Sequence, residues 1–123
     1  MEKKFWDKAL SGEDIFLYVI KNKNGIRVEI SNFGATIVGL YVPDKKGTIE
    51  NVVMGYDKLS DYYKNWHGIG CSVGPNANRI ANAAFSLDGK EYRLEAGRDG
   101  HNLHSHFSLS YQKRVWIVEK YEE

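Results

Sequence analysis

The chain has 123 residues, enough for one domain with a modest core and too few for two. Its apolar share of 42% is ordinary for a globular protein, and 17 basic against 16 acidic residues leave a net charge of +1. That balance gives no field to draw in nucleic acid or an anionic membrane, and it suits a neutral partner.

Cys71 is the only cysteine, so no intrachain disulfide can form within this sequence. No apolar run is long enough to cross a bilayer, and the opening MEKKFWDKALSGED is charged throughout and unlike a signal peptide. A cytoplasmic location is the expectation.

Taken in chain order, short β-rich runs alternate with turn chemistry. IFLYVIKN (15–22) leads into Asn24-Gly25, a dipeptide suited to the positive φ values of a hairpin, and then into IRVEISN (26–32). Alternation predicts Ile26, Val28 and Ile30 on one face and Arg27, Glu29 and Ser31 on a wet one. ATIVGLYV (35–42) is apolar on both faces, which predicts a strand between two sheets, and PDKKG (43–47) turns the chain.

IENVVMGY (49–56) reads as a further strand, and DKLSDYYKNW as the one segment able to hold a helical turn. AFSL and EYRL flank Asp88-Gly89-Lys90, a second hairpin. Residues 95–112 lack periodicity and read as a long loop, and RVWIVEKY (114–121) as a last strand. Many short strands predict an all-β sandwich or barrel. A terminal strand needs a neighbour, so the expectation is a single segment, residues 1–123, of a larger sheet whose exposed edges favour self-association.

The stretch GIGCSVGPNANRI (68–80) does not fit a strand. Its glycines permit close backbone approach, while Asn76, Asn78 and Arg79 carry donors that are costly to bury unpaired, so a polar group is expected against it. It is no P-loop, lacking Lys-Ser/Thr after the second glycine, and no dinucleotide fingerprint. His101, His104 and His106 form H-x-x-H-x-H, yet only Asp99 is interleaved with them and no paired cysteines accompany them, so no metal site is assigned. Taken alone, Arg79 reads as a surface ion pair and Asn78 as a turn residue.

Three blocks together say more. NGIRVEISNFGATIVGLYVPDKKGTIENVVMGYDKLSDY, GCSVGPNANRIANAAFSLDGKEYRL and HNLHSHFSLSYQKRVW resemble, nearly collinearly from Asn24 to Trp116, the N-terminal part of the aldose 1-epimerases, also called galactose mutarotases. The resemblance implies a large β-sandwich that interconverts the α and β anomers of free hexoses such as galactose and glucose, without cofactor or metal. It implies sugar contacts for Asn78 and Arg79 of Ala77-Asn78-Arg79-Ile80, and for His104 of Asn102-Leu103-His104 a place on the ring-oxygen side of the sugar.

The family's general acid, a histidine, and general base, a glutamate, belong to sequence beyond these blocks, as does an aspartate that binds sugar hydroxyls. His101, His106, Glu119, Glu122 and Glu123 are not assigned those roles. Pro75 stands where family members often carry Arg, and Ser105-His106 where they carry Gly-Gly, which bears on substrate preference. Trp66 and His67 are candidates to line a sugar pocket, with Trp66 read first as core. The competing readings are a sugar-binding module without catalysis, a structural fragment, and an epimerase of hexose phosphates, for which Arg98 is the one loop cation.

Overall fold

The Asn24-Gly25 hairpin shows how directly turn chemistry dictates this fold. In the computed structural model, which describes residues 1–120, the Asn22 side-chain oxygen accepts from the N–H groups of Asn24 and Ile26 at 2.9 and 3.0 Å. Gly25 takes φ +84°, the left-handed value that closes the hairpin loop at little steric cost. The strands so joined, β2 (Asp14–Lys21) and β3 (Arg27–Ser31), lie in an antiparallel sheet of order β1-β2-β3-β4-β5. The others are β1 (Glu2–Lys8), β4 (Thr36–Pro43) and β5 (Ile49–Asn51).

The charged N-terminal sequence does not announce β1. A bulge between Phe5 and Asp7 breaks its alternation, which hides the period-2 signal. β5 is shorter than the expected 49–56 because the Asn51 side-chain oxygen accepts from Leu40 N–H (3.0 Å) and also from Val53 N–H (3.3 Å), turning the chain out of the ladder.

The helical turn α1 (Leu59–Tyr62) places Leu59 and Tyr62, three residues apart, on one buried face. They pack with Ala9, Ile15 and Phe33 into the main core, and Trp6 and Tyr56 meet the Tyr62 ring edge-on at 5.7 and 5.1 Å. Burying Ile15 and Leu59 fully contributes about 1.5–3 kcal/mol each.

This packing reverses the expected faces of β3. The face expected to be wet carries Ser31, only 1% exposed, and Glu29, which lines a groove with Tyr41 and the 54–57 segment. Ile26 is exposed and Val28 and Ile30 are half-buried. The reason is that α1 and its approach cover the Ser31 side of the sheet, while on the other side Tyr18, opposite Ile30, is buried but Ile20 and Ile37 stay exposed. Only one face of β4 is therefore covered, and Ile37 is 40% exposed.

Two short ladders follow: β6 (Arg79–Ile80) pairs with β9 (Asn102–Leu103), and β7 (Ala84–Leu87) pairs with β8 (Lys90–Arg93). The second hairpin turns on Asp88 and Gly89, φ +51° and +73°, the two-residue geometry expected of Asp-Gly. The strand expected at 114–121 does not form over the described part, and its last residue lies outside the described residues. Instead Phe33 and Val115 make an isolated bridge, flanked by Gly34 N–H to Arg114 O (2.7 Å) and Trp116 N–H to Asn32 O (2.8 Å). These bonds reach the corner between β3 and β4, where Gly34 at φ +70° interrupts the extended backbone.

Over the described residues the folded chain is thus all-β, with one turn of α-helix and two 3₁₀ turns. Among these residues no helix is long and apolar enough to cross a membrane.

Candidate sugar-binding site

The glycines of 68–80 serve contacts within the protein itself. Gly70 (φ +68°) sits against the carbonyl of Ile37 on β4, where a Cβ would collide with that backbone. Gly74 sits against the Tyr111 ring, again with no room for a Cβ. Ile37 N–H donates to Gly70 O (2.8 Å), and the Ser72 hydroxyl donates to Ala35 O (2.8 Å), so the stretch is pinned to the start of β4. In place of the polar group expected against these glycines lie main chain and an aromatic ring.

Past the cis Gly74-Pro75 bond, polar side chains take over. Asn102, 2% exposed, donates through Nδ2 to Glu95 O (2.8 Å) and accepts from Asn76 Nδ2 (3.1 Å). The Ser105 hydroxyl accepts from Asn76 N–H (2.8 Å) and donates to the Asn76 side-chain oxygen (2.8 Å). These bonds tie residues 75–80 to residues 102–106 across 26 to 29 positions of sequence. Asn102 is the hub, and nothing in the local sequence signals its burial.

On this base Asn78 and His104 bond each other twice. Asn78 N–H donates to His104 Nδ1 (2.9 Å), and His104 N–H donates to Asn78 O (3.0 Å). A backbone N–H can only donate, so Nδ1 is the acceptor and the neutral imidazole carries its proton on Nε2. The exposed ring therefore presents an Nε2–H donor. Both residues adopt left-handed backbone, φ +60° and +49°.

Arg79 lies on β6 directly opposite Leu103, one residue before His104. Its Nε is 3.5 Å from an Asp99 carboxylate oxygen, and Asp99 also accepts from His101 N–H (3.2 Å). The His101 amide, with the Arg79 side-chain hydrogen bond adding to it, holds the Asp99 carboxyl below its ordinary range. Asp99 thus orients Arg79 from the solvent side while the guanidinium stays half exposed.

The other two histidines do not converge with His104. His101 Nδ1 accepts from Asn82 N–H (3.0 Å), and His106 Nδ1 lies 3.0 Å from the Ser108 hydroxyl. Among the described residues no three His, Cys, Asp or Glu side chains form a group able to hold a metal ion. His104, Ser105 and His106 are three successive left-handed residues, φ +49°, +66° and +68°. Two of them stand where Gly-Gly is the expected pattern, and each bears the steric cost a glycine avoids.

Trp66 is not core. It is 72% exposed and stacks on Phe107, ring centroids 3.9 Å apart. Lys113 lies over the other aromatic of that pair, 4.1 Å from the Phe107 centroid, and donates to the carbonyls of Tyr62 and Tyr63 at 2.8 and 3.0 Å. Burial lowers the Lys113 ammonium pKa and raises that of the Cys71 thiol, with their mutual interaction opposing both shifts.

The sequence profile described as Aldose 1-epimerase matches residues 17–123. The chain belongs to the aldose 1-epimerase family. Among its relatives, galactose mutarotase from Bos taurus is 40% identical over 91 residues, covering 74% of this chain and 26% of the relative. Aldose 1-epimerase from Haemophilus influenzae is 35% identical over 112 residues, 91% of this chain and 32% of the relative.

A solved GalM/aldose epimerase homologue from C. elegans superposes with a TM-score of 0.79 at 34% identity, over 86% of this chain and 32% of that one. The likeness confirms the all-β aldose epimerase fold. The chain spans about a quarter to a third of the length of these relatives. Within the family fold, the Asn78–Arg79 corner and His104 are drawn together by the Asn76–Asn102–Ser105 hydrogen bonds and by the β6–β9 pair.

Proposed function

We propose that this chain supplies the sugar-holding part of an aldose 1-epimerase that acts on free hexoses such as galactose and glucose. The observation that carries the reading is the reciprocal Asn78–His104 hydrogen bonding, which fixes a neutral imidazole with Nε2–H outward next to the Arg79 strand position. Mutarotation removes the proton of the anomeric hydroxyl and protonates the ring oxygen; the ring opens, C1–C2 rotates and the ring recloses. Donors that do not themselves exchange protons are what such a ring oxygen needs as charge develops on it, and His104 Nε2–H and the Arg79 guanidinium are donors of that kind. The exposure of Asn78 on its left-handed turn supports a role for its side chain in bonding sugar hydroxyls.

The acid and base of the reaction lie outside the residues assigned here. The rings of His101 and His106 are held by Asn82 and Ser108, which favours for the isolated chain the second reading, a hexose-binding module without catalysis. Polarimetry of freshly dissolved α-D-glucose and α-D-galactose separates the two. Acceleration that disappears in Arg79→Ala and His104→Ala establishes catalysis by this chain. Calorimetric binding without acceleration, abolished in the same variants, establishes the module. Absence of heat at millimolar sugar counts against the module, and absence of acceleration counts against catalysis by this chain.

A further inference from the structure

We infer that Trp66 and Gln112 form a positioning subsite for the hexose beside His104, and this rests on the reading of the chain as hexose-holding. A cavity of about 110 Å³ opens between the 66–73 and 104–112 segments, lined among others by Trp66, His67, Cys71, His104 and Gln112. Ligand pockets that enclose a whole small molecule run to about 300–1,000 Å³, so this one takes an edge of a sugar and leaves the ring at its mouth.

Three features define what fits. First, the Gln112 side-chain oxygen is buried without a hydrogen-bond partner, lying toward Gly68 at the cavity wall. An unpaired buried acceptor calls for a donor, and a sugar hydroxyl supplies one once the Gln112 amide turns into the cavity that the residue lines. Second, the indole of Trp66 is held flat by Phe107 on one side and is largely open to solvent, the arrangement that receives the C–H face of a pyranose. Third, among the described residues no Asp, Glu, Lys or Arg lines the cavity, and burial raises the pKa of the Cys71 thiol there. That lining suits an uncharged polyol and not a phosphate.

His104 belongs to both places: its Nδ1 is fixed by Asn78, and its ring lines this cavity. A hexose with one hydroxyl on Gln112 and its apolar face on Trp66 is thereby oriented with respect to the His104 donor. Trp66 and Gln112 are positioning residues and take no part in proton transfer.

The test is titration of the 123-residue chain with D-galactose and D-glucose, followed by calorimetry and by tryptophan fluorescence. Trp66→Ala and the volume-conserving Gln112→Met are each expected to weaken binding about tenfold, and Trp66→Phe by no more than about threefold, with unchanged far-UV circular dichroism. The sugar-induced change in fluorescence is expected to vanish in Trp66→Phe and to persist in Trp6→Phe. Wild-type affinity in both Trp66→Ala and Gln112→Met, with binding abolished in Arg79→Ala, overturns the subsite and leaves the hexose-holding reading intact. No binding by the wild-type chain overturns both.

Discussion

The five-stranded sheet and the Asn78–His104 region are held together by different physics. In the sheet, ladders of backbone bonds repeat along β1–β5, and the apolar side chain of Ile15 is fully buried against Leu59 and Tyr62 of α1. In the site region the β6–β9 ladder is two residues long, and geometry is imposed by side chains bonding backbone: Asn102 to Glu95, Ser105 to Asn76, His104 to Asn78. A sheet shares its load among many similar bonds, whereas these side-chain bonds are few and depend on single residues. The site is therefore the part most easily disordered by one substitution, and the sheet the part whose loss takes everything with it.

Ile15→Ala and Asn102→Ala put that difference to the test. Removing the buried Ile15 side chain is expected to cost about 2–5 kcal/mol and to lower amide exchange protection in both regions. Asn102→Ala leaves Glu95 O and Asn76 Nδ2 unpaired and is expected to cost about 2–4 kcal/mol, with protection reduced in residues 74–106 and kept in β2–β4. Equal loss of sheet protection in Asn102→Ala, read by hydrogen exchange, would show the two regions to be one cooperative unit.

Lys113 is the side chain that spans the boundary. It binds the carbonyls of Tyr62 and Tyr63 at the end of α1 and covers Phe107 beside the cavity. An ammonium on terminal helix carbonyls is favourable in charge as well as in hydrogen bonding. Lys113→Met keeps the length and removes both, for an expected destabilisation of about 1–2 kcal/mol in urea unfolding. A midpoint equal to wild type would mean that the backbone bonds at Gly34, Ile37 and Trp116 hold the regions together unaided.

The same contrast explains what the sequence discloses. Hairpins at Asn24-Gly25 and Asp88-Gly89, and the one helical turn, are legible because local residue chemistry sets local φ and ψ. Alternation assigns the exposed Ile26 and the buried Ser31 to the wrong faces, since which face is covered depends on where α1 lands. β5 stops early on a side-chain bond of Asn51, and 114–120 forms one bridge in place of a strand, outcomes decided by tertiary partners. In the site, Asn78, Arg79 and His104 stand out only through family resemblance. The two bonds that join Asn78 to His104 cross 26 residues, and no propensity encodes them. Trp66 reads as core because exposure of a large aromatic beside a cavity has no local signal.

His106→Gly sharpens the comparison from the opposite direction. At φ +68° the imidazole-bearing residue stands in a conformation that costs a non-glycine about 1–2 kcal/mol, of which the greater chain entropy of unfolded glycine returns about half. The variant also gives up the hydrogen bond between the imidazole and Ser108, so the net gain expected is at most about 0.5 kcal/mol, seen as a higher unfolding midpoint. The sheet offers no such reserve in β2 or β3, whose residues carry no left-handed φ.

The smallest effect expected is on pH. Asp99 is held below its ordinary pKa of 3.8, first by the His101 amide and then by the Arg79 side-chain hydrogen bond. A carboxyl with a lowered folded pKa gives stability that is complete above its unfolded value and is lost as pH falls through the folded one. The ordering of Arg79 by Asp99 is accordingly constant from about pH 7 to about pH 5 and declines below about pH 4. Because the pair is exposed, hexose affinity is expected to fall by no more than about threefold over that descent, and by a similar factor in Asp99→Asn at neutral pH. Titration calorimetry at about pH 5 and about pH 3 on both proteins, a window below the ordinary histidine range, checks it: the variant's affinity should lack the decline between those two values. A decline of equal size in Asp99→Asn would assign it to another group and leave Arg79 positioned by its β6 backbone alone.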